Sequence, residues 1–160
     1  MENERKFLTD INLGRLVIWL RILGYDTILY RGAADRQFLR KAQAENRIVL
    51  TRKRELAKRQ FQGILLLIES DRVERQVEEV FGNLGLEVSA DRYFSRCLRC
   101  NVLLIEVEKE AIQERVPPYV FEHHSRFMTC PGCGAIYWPG THSENIRKRI
   151  KALRIPFRRL

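Results

Sequence analysis

The sequence predicts an α/β fold, with an open parallel sheet and flanking helices, followed by a small module that holds all four cysteines. Two observations predict it. In the first ninety residues, short apolar segments alternate with segments whose apolar residues recur at helical spacing. This alternation is typical of βαβ units, in which helices connect parallel strands. After residue 92, two Cys-x-x-Cys pairs indicate a separate module.

Each expected strand is a short apolar run, and each run is followed by a helical pattern. The expected strands are residues 7–9, 27–30, 48–50 and 64–68. The expected helices begin at residue 13 and then cover 36–45, 54–61 and 71–84. Gly24 follows the first helix, where glycine commonly ends helices. The run 64–68 is apolar throughout, which is typical of a strand buried on both faces.

The four cysteines, Cys97, Cys100, Cys130 and Cys133, form two identical pairs. Two intervening residues allow both thiolates of a pair to face one metal ion, and four thiolates are typical of a closed structural Zn²⁺ site. The spacer between the pairs is longer than the ~15–20 residues of a minimal ribbon. We therefore predict a structural zinc ribbon with an insertion. The histidines at 123, 124 and 142 are not assigned to the metal, because the cysteines complete a tetrahedron.

The net charge of +9 and the pI of about 9.8 favour an acidic partner, nucleic acid first and an anionic membrane second. Residues 146–160 carry seven cations and no acid, and they include Arg147, Lys148 and Arg149. We predict that this basic segment contacts phosphate, as an amphipathic helix with Ile146, Ile150 and Leu153 turned inward. A solvated run of charge is the alternative.

Composition and the chain start bound the location and the domain organisation. No apolar run approaches the ~20 residues of a transmembrane helix, so we expect no membrane partner. The opening MENERKFL lacks the apolar stretch of a secretory signal, so we expect a cytoplasmic protein. The expected parts are an α/β domain over 1–92, a zinc ribbon with an insertion over 93–145, and a basic tail over 146–160.

Acidic residues follow several of the expected strands. Asp10 follows the first strand, Asp35 the second, and Asp71 the fourth. Ligands of open α/β sheets bind at the carboxyl ends of the strands, and carboxylates gathered there can hold Mg²⁺ or Mn²⁺. Such ions activate water for attack on a phosphodiester. The alternative for Asp35 and Asp71 is a structural role at the start of a helix.

Several motifs, in the same order, resemble the PIN-like ribonuclease family that is named for the C-terminal domain of the worm exonuclease Mut-seven. They are FLTD at 7–10, LGRL at 13–16, WLRILGYD at 19–26, IVLTR at 48–52, REL at 54–56, RCLRCN at 96–101, RVPP at 115–118, CPGCG at 130–134 and YWPG at 137–140. The resemblance spans roughly residues 6 to 150. It implies a PIN-like α/β domain, a zinc ribbon and a metal-dependent ribonuclease activity on RNA.

The sequence departs from the family at residue 53. The family's third-strand motif usually has aspartate after Thr-Arg, as part of its acidic metal cluster, and this chain has Lys53. An ammonium group there removes a ligand and repels a cation, by about 4 kcal/mol per unit charge at ~4 Å and intermediate dielectric. Glu55 is a possible substitute, and it is equally suited to the first turn of a helix.

Two main functions therefore remain open. In a metal-dependent ribonuclease, Asp10 and Asp35 are the principal metal ligands, Asp71 is a third candidate, and basic residues face phosphate. Those basic residues are Arg15, Arg52 and Arg54. In a catalytically weak or inactive RNA-binding module, Lys53 converts the metal pocket into a phosphate pocket. A zinc module for protein interaction is a third reading, which leaves the basic segment and the acidic residues unexplained.

Overall fold

A computed structural model describes residues 4–159, so the sequence-based expectations for residues 1–3 and 160 lie outside the described residues. The chain divides into two compact units. The first comprises Met1–Asn101 and Arg154–Leu160, and the second comprises Val102–Leu153. The sequence-based domain boundaries, after residues 92 and 145, fall at other positions than the divisions between these units. They remain a prediction about which segments fold independently.

The first unit is built on a four-stranded parallel sheet with the order β2-β1-β3-β4. The strands are β1 Lys6–Thr9, β2 Asp26–Leu29, β3 Ile48–Thr51 and β4 Leu65–Leu67. Thr9 pairs with Leu29 on one side and with Leu50 on the other. The carboxyl ends of β1, β2 and β3 therefore meet at one edge of the sheet. The predicted α/β class and parallel sheet are confirmed.

Helices connect the strands. They are α1 Gly14–Ile22, α2 Arg36–Ala44, α3 Arg54–Ala57 and α4 Val73–Leu84. Gly24 follows α1 with a φ of +91°, and a Cβ there would lie 2.6 Å from the carbonyl oxygen of Arg92. Only glycine fits this close approach. The expected end of the first helix is thus confirmed.

Two helices differ from the sequence-based bounds. The third ends at Ala57 rather than at residue 61, because residues 57–60 are all exposed and offer no apolar face that would stabilise further turns. The fourth begins at Val73, after Arg72 in an extended conformation, rather than at Asp71. Asp71 therefore does not cap α4.

The prediction of a fully buried fourth strand is wrong. β4 pairs with β3 alone and forms an edge of the sheet, and all three of its residues are half-buried. An apolar run predicts that a strand is buried, but it does not tell whether other strands pair with it on both sides or on one side only. The fully buried strand is β3, where every residue is buried.

The second unit has a three-stranded antiparallel sheet with the order β5-β6-β7. Its elements are β5 Ile105–Val107, a 3₁₀ helix Lys109–Arg115, α5 Pro118–His123, β6 Phe127–Thr129, β7 Ile136–Tyr137 and α6 Thr141–Lys151. Ile112, Val116 and Phe127 form its core. The amphipathic helix predicted for the basic segment is confirmed only in its first part, because α6 begins before that segment and ends at Lys151. Ile146 and Ile150 are buried in α6, whereas Leu153 is buried but lies beyond the end of the helix. Among residues 4–159, no helix is long and apolar enough to cross a bilayer.

Candidate active site and metal centre

Asp10 is the carboxylate that the fold holds most firmly at the carboxyl edge of the sheet. It follows β1 directly and is only 1% exposed. Its Oδ1 accepts a hydrogen bond from the backbone N–H of Asn12 at 2.9 Å. Its Oδ2 accepts from the Thr51 hydroxyl at 2.6 Å and from the backbone N–H of Arg52 at 3.1 Å. An ionised carboxylate offers about four acceptor sites, so three donors fix its orientation and leave capacity for one more partner.

Thr51 is a site residue that the sequence-based assignment missed. Its side chain is fully buried, and its hydroxyl donates to Asp10 while accepting from the backbone N–H of Lys53 at 3.0 Å. Thr51 ends β3, the strand that lies beside β1 in the sheet. The order of the strands was the missing signal, because it brings the residues after β1 and the end of β3 to the same place.

Arg52 connects the ends of β3 and β4. Its guanidinium donates to the carbonyl oxygen of Ser70 at 2.5 Å and to Oδ1 of Asp71 at 2.6 Å. The Asp71 side chain is 91% exposed. Asp71 is therefore the ion-pair partner of Arg52 at the protein surface. The Arg52 guanidinium, predicted to face phosphate, binds protein groups instead.

Asp35 caps α2. Its Oδ1 accepts from the backbone N–H groups of Gln37 at 2.9 Å and Phe38 at 3.4 Å. Aspartate at this position satisfies N–H groups that the first helical turn leaves unpaired. This is the structural role left open for Asp35, and Oδ2 accepts no hydrogen bond from residues 4–159. The residue is exposed and follows β2 at the same edge of the sheet as Asp10.

The three predicted acidic ligands do not form a cage. In the part of the chain that the structure describes, the cysteines are the only group of three or more His, Cys, Asp or Glu side chains placed to share an ion. Mg²⁺ needs no such cage, because it is usually held by one or two carboxylates with waters and substrate phosphates. Asp10 and Asp35, which both follow strands at the carboxyl edge of the sheet, are carboxylates of the kind that such a site uses.

Most of the predicted phosphate-binding residues are exposed. Arg15 lies on α1, and Lys53 and Arg54 stand at the start of α3. Lys53 occupies the N-cap position of α3, and its side chain makes no capping hydrogen bond. Three more predicted contacts are exposed on α6 of the second unit: Arg147, Lys148 and Arg149.

The four cysteines come together as predicted. Their sulfur atoms all lie within 4.8 Å of one another, and Cys97 and Cys130 are buried. A tetrahedron with metal–sulfur bonds of ~2.3 Å has edges of about 3.8 Å, so the cluster fits one ion. The backbone N–H of Cys100 donates to the Cys97 sulfur at 3.4 Å, and that of Gly132 donates to the Cys130 sulfur at 3.3 Å. These bonds stabilise thiolates.

A different carboxylate, Asp26, lies where the strands of the sheet begin, opposite the carboxyl edge that carries Asp10. Asp26 begins β2 and accepts from the Arg47 guanidinium at 2.7 Å and from the Asn101 side-chain amide at 2.6 Å. Burial alone would raise the pKa of the Asp26 carboxyl, but the hydrogen bonds from Arg47 and Asn101 outweigh burial and hold this pKa below its ordinary value. Asp26 is therefore a structural ion-pair partner.

Comparison with known proteins now adds the family. The model of the Mut7-C RNAse domain matches residues 5–150 of this chain. The chain belongs to this family. Membership confirms the resemblance drawn from the motifs and supports a ribonuclease-type function for the Mut7-C chain. None of the curated proteins and none of the solved structures compared with it gives a match.

Proposed function

We propose that this Mut7-C chain is a metal-dependent ribonuclease that hydrolyses phosphodiester bonds of RNA. The match to the Mut7-C RNAse domain over residues 5–150 carries the proposal. The environment of Asp10 supports it. A buried carboxylate, oriented by three donors at the carboxyl edge of a parallel sheet, stands where such sheets bind their ligands.

The proposed cation is Mg²⁺ or Mn²⁺. When bound, such an ion activates water and stabilises the leaving oxygen of a phosphodiester. Asp10 would hold it, and Asp35, whose Oδ2 accepts no hydrogen bond from the described residues, would be the second carboxylate. Thr51 keeps Asp10 in one orientation through its 2.6 Å hydrogen bond. Asp71 would take part only after leaving its ion pair with Arg52.

The proposed substrate is RNA, bound through phosphate contacts. The net charge of +9 supports a polyanionic partner. We assign phosphate contacts to Arg15, Lys53 and Arg54, which are exposed and stand at the starts of the helices that follow β1 and β3. The hydrogen bond from Lys53 to Thr51 uses the backbone N–H of Lys53. The ammonium group of Lys53 does not take part in that bond, and we assign it to a phosphate of the RNA.

The ion proposed for the four cysteines is Zn²⁺, in a structural role. Four thiolates leave no open coordination position for substrate or water. A thiolate site of this kind is stable in a reducing compartment, which supports the proposed cytoplasmic location.

The decisive experiment compares wild type with Asp10→Asn for cleavage of a labelled single-stranded RNA, with and without Mn²⁺. We expect the variant to lose at least about a hundredfold in rate, the upper end of what partners of a metal site contribute. It should also lose about 1–3 kcal/mol of stability. Both oxygens of Asp10 accept hydrogen bonds, so the amide NH₂ of asparagine would replace an acceptor and face another donor.

The matched control is Asp26→Asn, which changes a carboxylate in a hydrogen-bonded network at the opposite edge of the same sheet. It should keep its cleavage rate at a temperature where both variants are folded, as judged by circular dichroism. A wild-type chain that binds RNA but does not cleave it with Mn²⁺ or Mg²⁺ would contradict the proposal and favour a binding module.

A further inference from the structure

A groove with an unusual lining lies in the first unit, between α2 and the segment that follows α3. Its volume is about 630 Å³, within the ~300–1,000 Å³ typical of ligand sites. Four residues of α2 and residues 59–61 line it; those of α2 are Arg36, Leu39, Arg40 and Gln43. None of the proposed ligands of the active site is among them.

The groove is strongly cationic. Arg36, Arg40 and Arg59 line it, no carboxylate does, and none of the three forms a salt bridge within residues 4–159. Arg36 stands at the first position of α2, where the helix dipole disfavours a positive charge. Three exposed guanidinium groups around one groove, with no carboxylate among its lining residues, give this surface a positive potential that attracts anions.

An aromatic ring lies beside these cations. Phe61 is half-buried and packs against the core cluster that contains Phe38 and Leu56. A Cβ added to Gly63 would lie 2.6 Å from Cζ of Phe61, so the glycine makes room for the ring. A ring held in one place, with part of its surface exposed, is suited to stacking against a base.

We propose that this groove, the arginine groove, binds single-stranded RNA. The arginines contact successive phosphates, and Phe61 stacks on a base, a combination typical of sites that track single strands. In a duplex the bases are stacked on one another and offer Phe61 no face, so a single strand fits better. The choice of RNA as the polymer rests on the proposed function.

The position of the arginine groove supports this assignment. Asp35, at the carboxyl edge of the sheet, immediately precedes Arg36, and Arg40 lies one helical turn further along α2, about 6 Å away. RNA in the groove would therefore lead along α2 to the proposed cleavage site. A second cleft shares Gln43 and Phe61, but its volume of about 140 Å³ is below the ~300 Å³ at which typical ligand sites begin.

The test pairs two double variants that each remove two positive charges. Arg40→Gln with Arg59→Gln changes the groove, and Lys41→Gln with Lys58→Gln changes the neighbouring residues, which do not line it. Binding of a labelled oligouridine is followed by fluorescence anisotropy at several salt concentrations. All proteins carry Asp10→Asn and no Mg²⁺ or Mn²⁺ is added, so that cleavage does not enter.

We expect the arginine pair to flatten the log–log salt dependence by about 1.4, at ~0.7 per lost phosphate contact, and the lysine pair to leave it unchanged. Phe61→Leu keeps an apolar side chain against the core and should weaken binding by about fivefold or more without changing the slope. Equal effects of the two pairs, or no effect of the arginine pair, would overturn the arginine groove as an RNA site.

Further outcomes distinguish single-strand binding in the arginine groove from duplex binding, and from the ribonuclease proposal. Equal proportional losses for an RNA duplex and for the oligouridine would overturn the assignment to single strands. A wild-type chain that shows the expected binding pattern but cleaves nothing would refute the ribonuclease proposal and leave the arginine groove standing. Cleavage that depends on Asp10, with both double variants binding like wild type, would do the reverse.

Discussion

Single residues decide where this chain can do chemistry, and Asp10 illustrates what a sequence tells about them. Its place after a short apolar strand was enough to predict a carboxylate at the edge of the sheet. Two of its three donors were not predictable, because Thr51 and the N–H of Arg52 lie more than forty residues away in the chain. For the same reason, the ion pair between Arg52 and Asp71 could not be inferred from the sequence, since no periodicity encodes it.

Residue 53 offers the sharpest test of the departure from the family. Lys53→Asp should raise Mn²⁺ affinity and cleavage, because it adds a carboxylate and removes a cation beside the proposed ion. The structure adds a second effect, since residue 53 is the N-cap of α3 and aspartate there stabilises by about 0.5–2 kcal/mol. Mn²⁺ titration and cleavage assays measure the first effect, and thermal unfolding measures the second.

Lys53→Asn is the control that separates the two. Asparagine caps a helix as well as aspartate does but adds no charge. We expect it to match Lys53→Asp in unfolding temperature while showing the smaller gain in Mn²⁺ affinity. If the two variants gain equally in Mn²⁺ affinity and cleavage, the carboxylate at 53 is not a ligand.

At the scale of elements, hydrophobic pattern predicted which segments are strands and helices better than it predicted where they stop. The order of the elements up to α4 follows the sequence. α3 ends early because residues 57–60 have no apolar contact to make, and β4 lies at the edge because it pairs with β3 alone. Both outcomes depend on tertiary neighbours, which a local pattern does not contain.

The start of β2 yields a prediction about pH. Hydrogen bonds from Arg47 and Asn101 lower the pKa of Asp26, so its stabilising contribution is complete above about pH 4, the ordinary value, and is lost as the pH falls through the lower folded pKa. Asp26→Asn should cost about 1–3 kcal/mol at neutral pH. Because the variant lacks this titration, its unfolding free energy should fall less steeply below pH 4.

Urea unfolding of both proteins between pH 2 and 7 measures the difference. The two curves should converge at the acid end, where the wild-type carboxyl is protonated. A constant gap down to pH 2 would mean that the ion pair is not what Asp26 contributes.

Helix α6 is the element to test for a second contact with RNA. Arg147→Gln with Lys148→Gln should flatten the salt dependence of single-strand binding by about 1.4. The control is Lys109→Gln with Arg126→Gln, two cations of the same unit outside α6. Substitution is a cleaner test than truncation, because residues beyond α6 pair with the first unit: the backbone N–H of Val88 donates to the Pro156 carbonyl at 2.8 Å. Equal slopes for the two pairs of variants would exclude α6 as a contact surface for RNA.

At the scale of the whole molecule, the sequence predicted a basic chain with a larger α/β part and a smaller part that depends on metal. The cysteine spacing predicted one shared cluster, and the sulfur distances fit it. The divisions between the compact units were not predictable. Residues 154–159 belong to the first unit through backbone pairing with Val88, and such pairing leaves no mark in composition.

Metal removal should therefore affect the two units differently. The cluster of Ile112, Val116 and Phe127 in the second unit is small, and Cys130 and Cys133 lie in this unit. We therefore expect the second unit to depend on the bound metal more than the first unit does. The first unit contains the parallel sheet and the larger part of the buried apolar residues. We expect protein purified under reducing conditions to contain about one equivalent of Zn²⁺, and structural zinc contributes roughly 10 kcal/mol or more to folding.

Each unit carries its own reporter, because Trp19 is buried in α1 and Trp138 packs against Phe127 with ring centroids 6.4 Å apart. In Trp19→Phe, chelation should shift the emission of Trp138 to the red as the second unit unfolds. In Trp138→Phe, the emission of Trp19 should stay near its native wavelength, since the sheet has its own core. Protein that contains no zinc, or a shift of Trp19 alone, would contradict a structural role of the metal in the second unit.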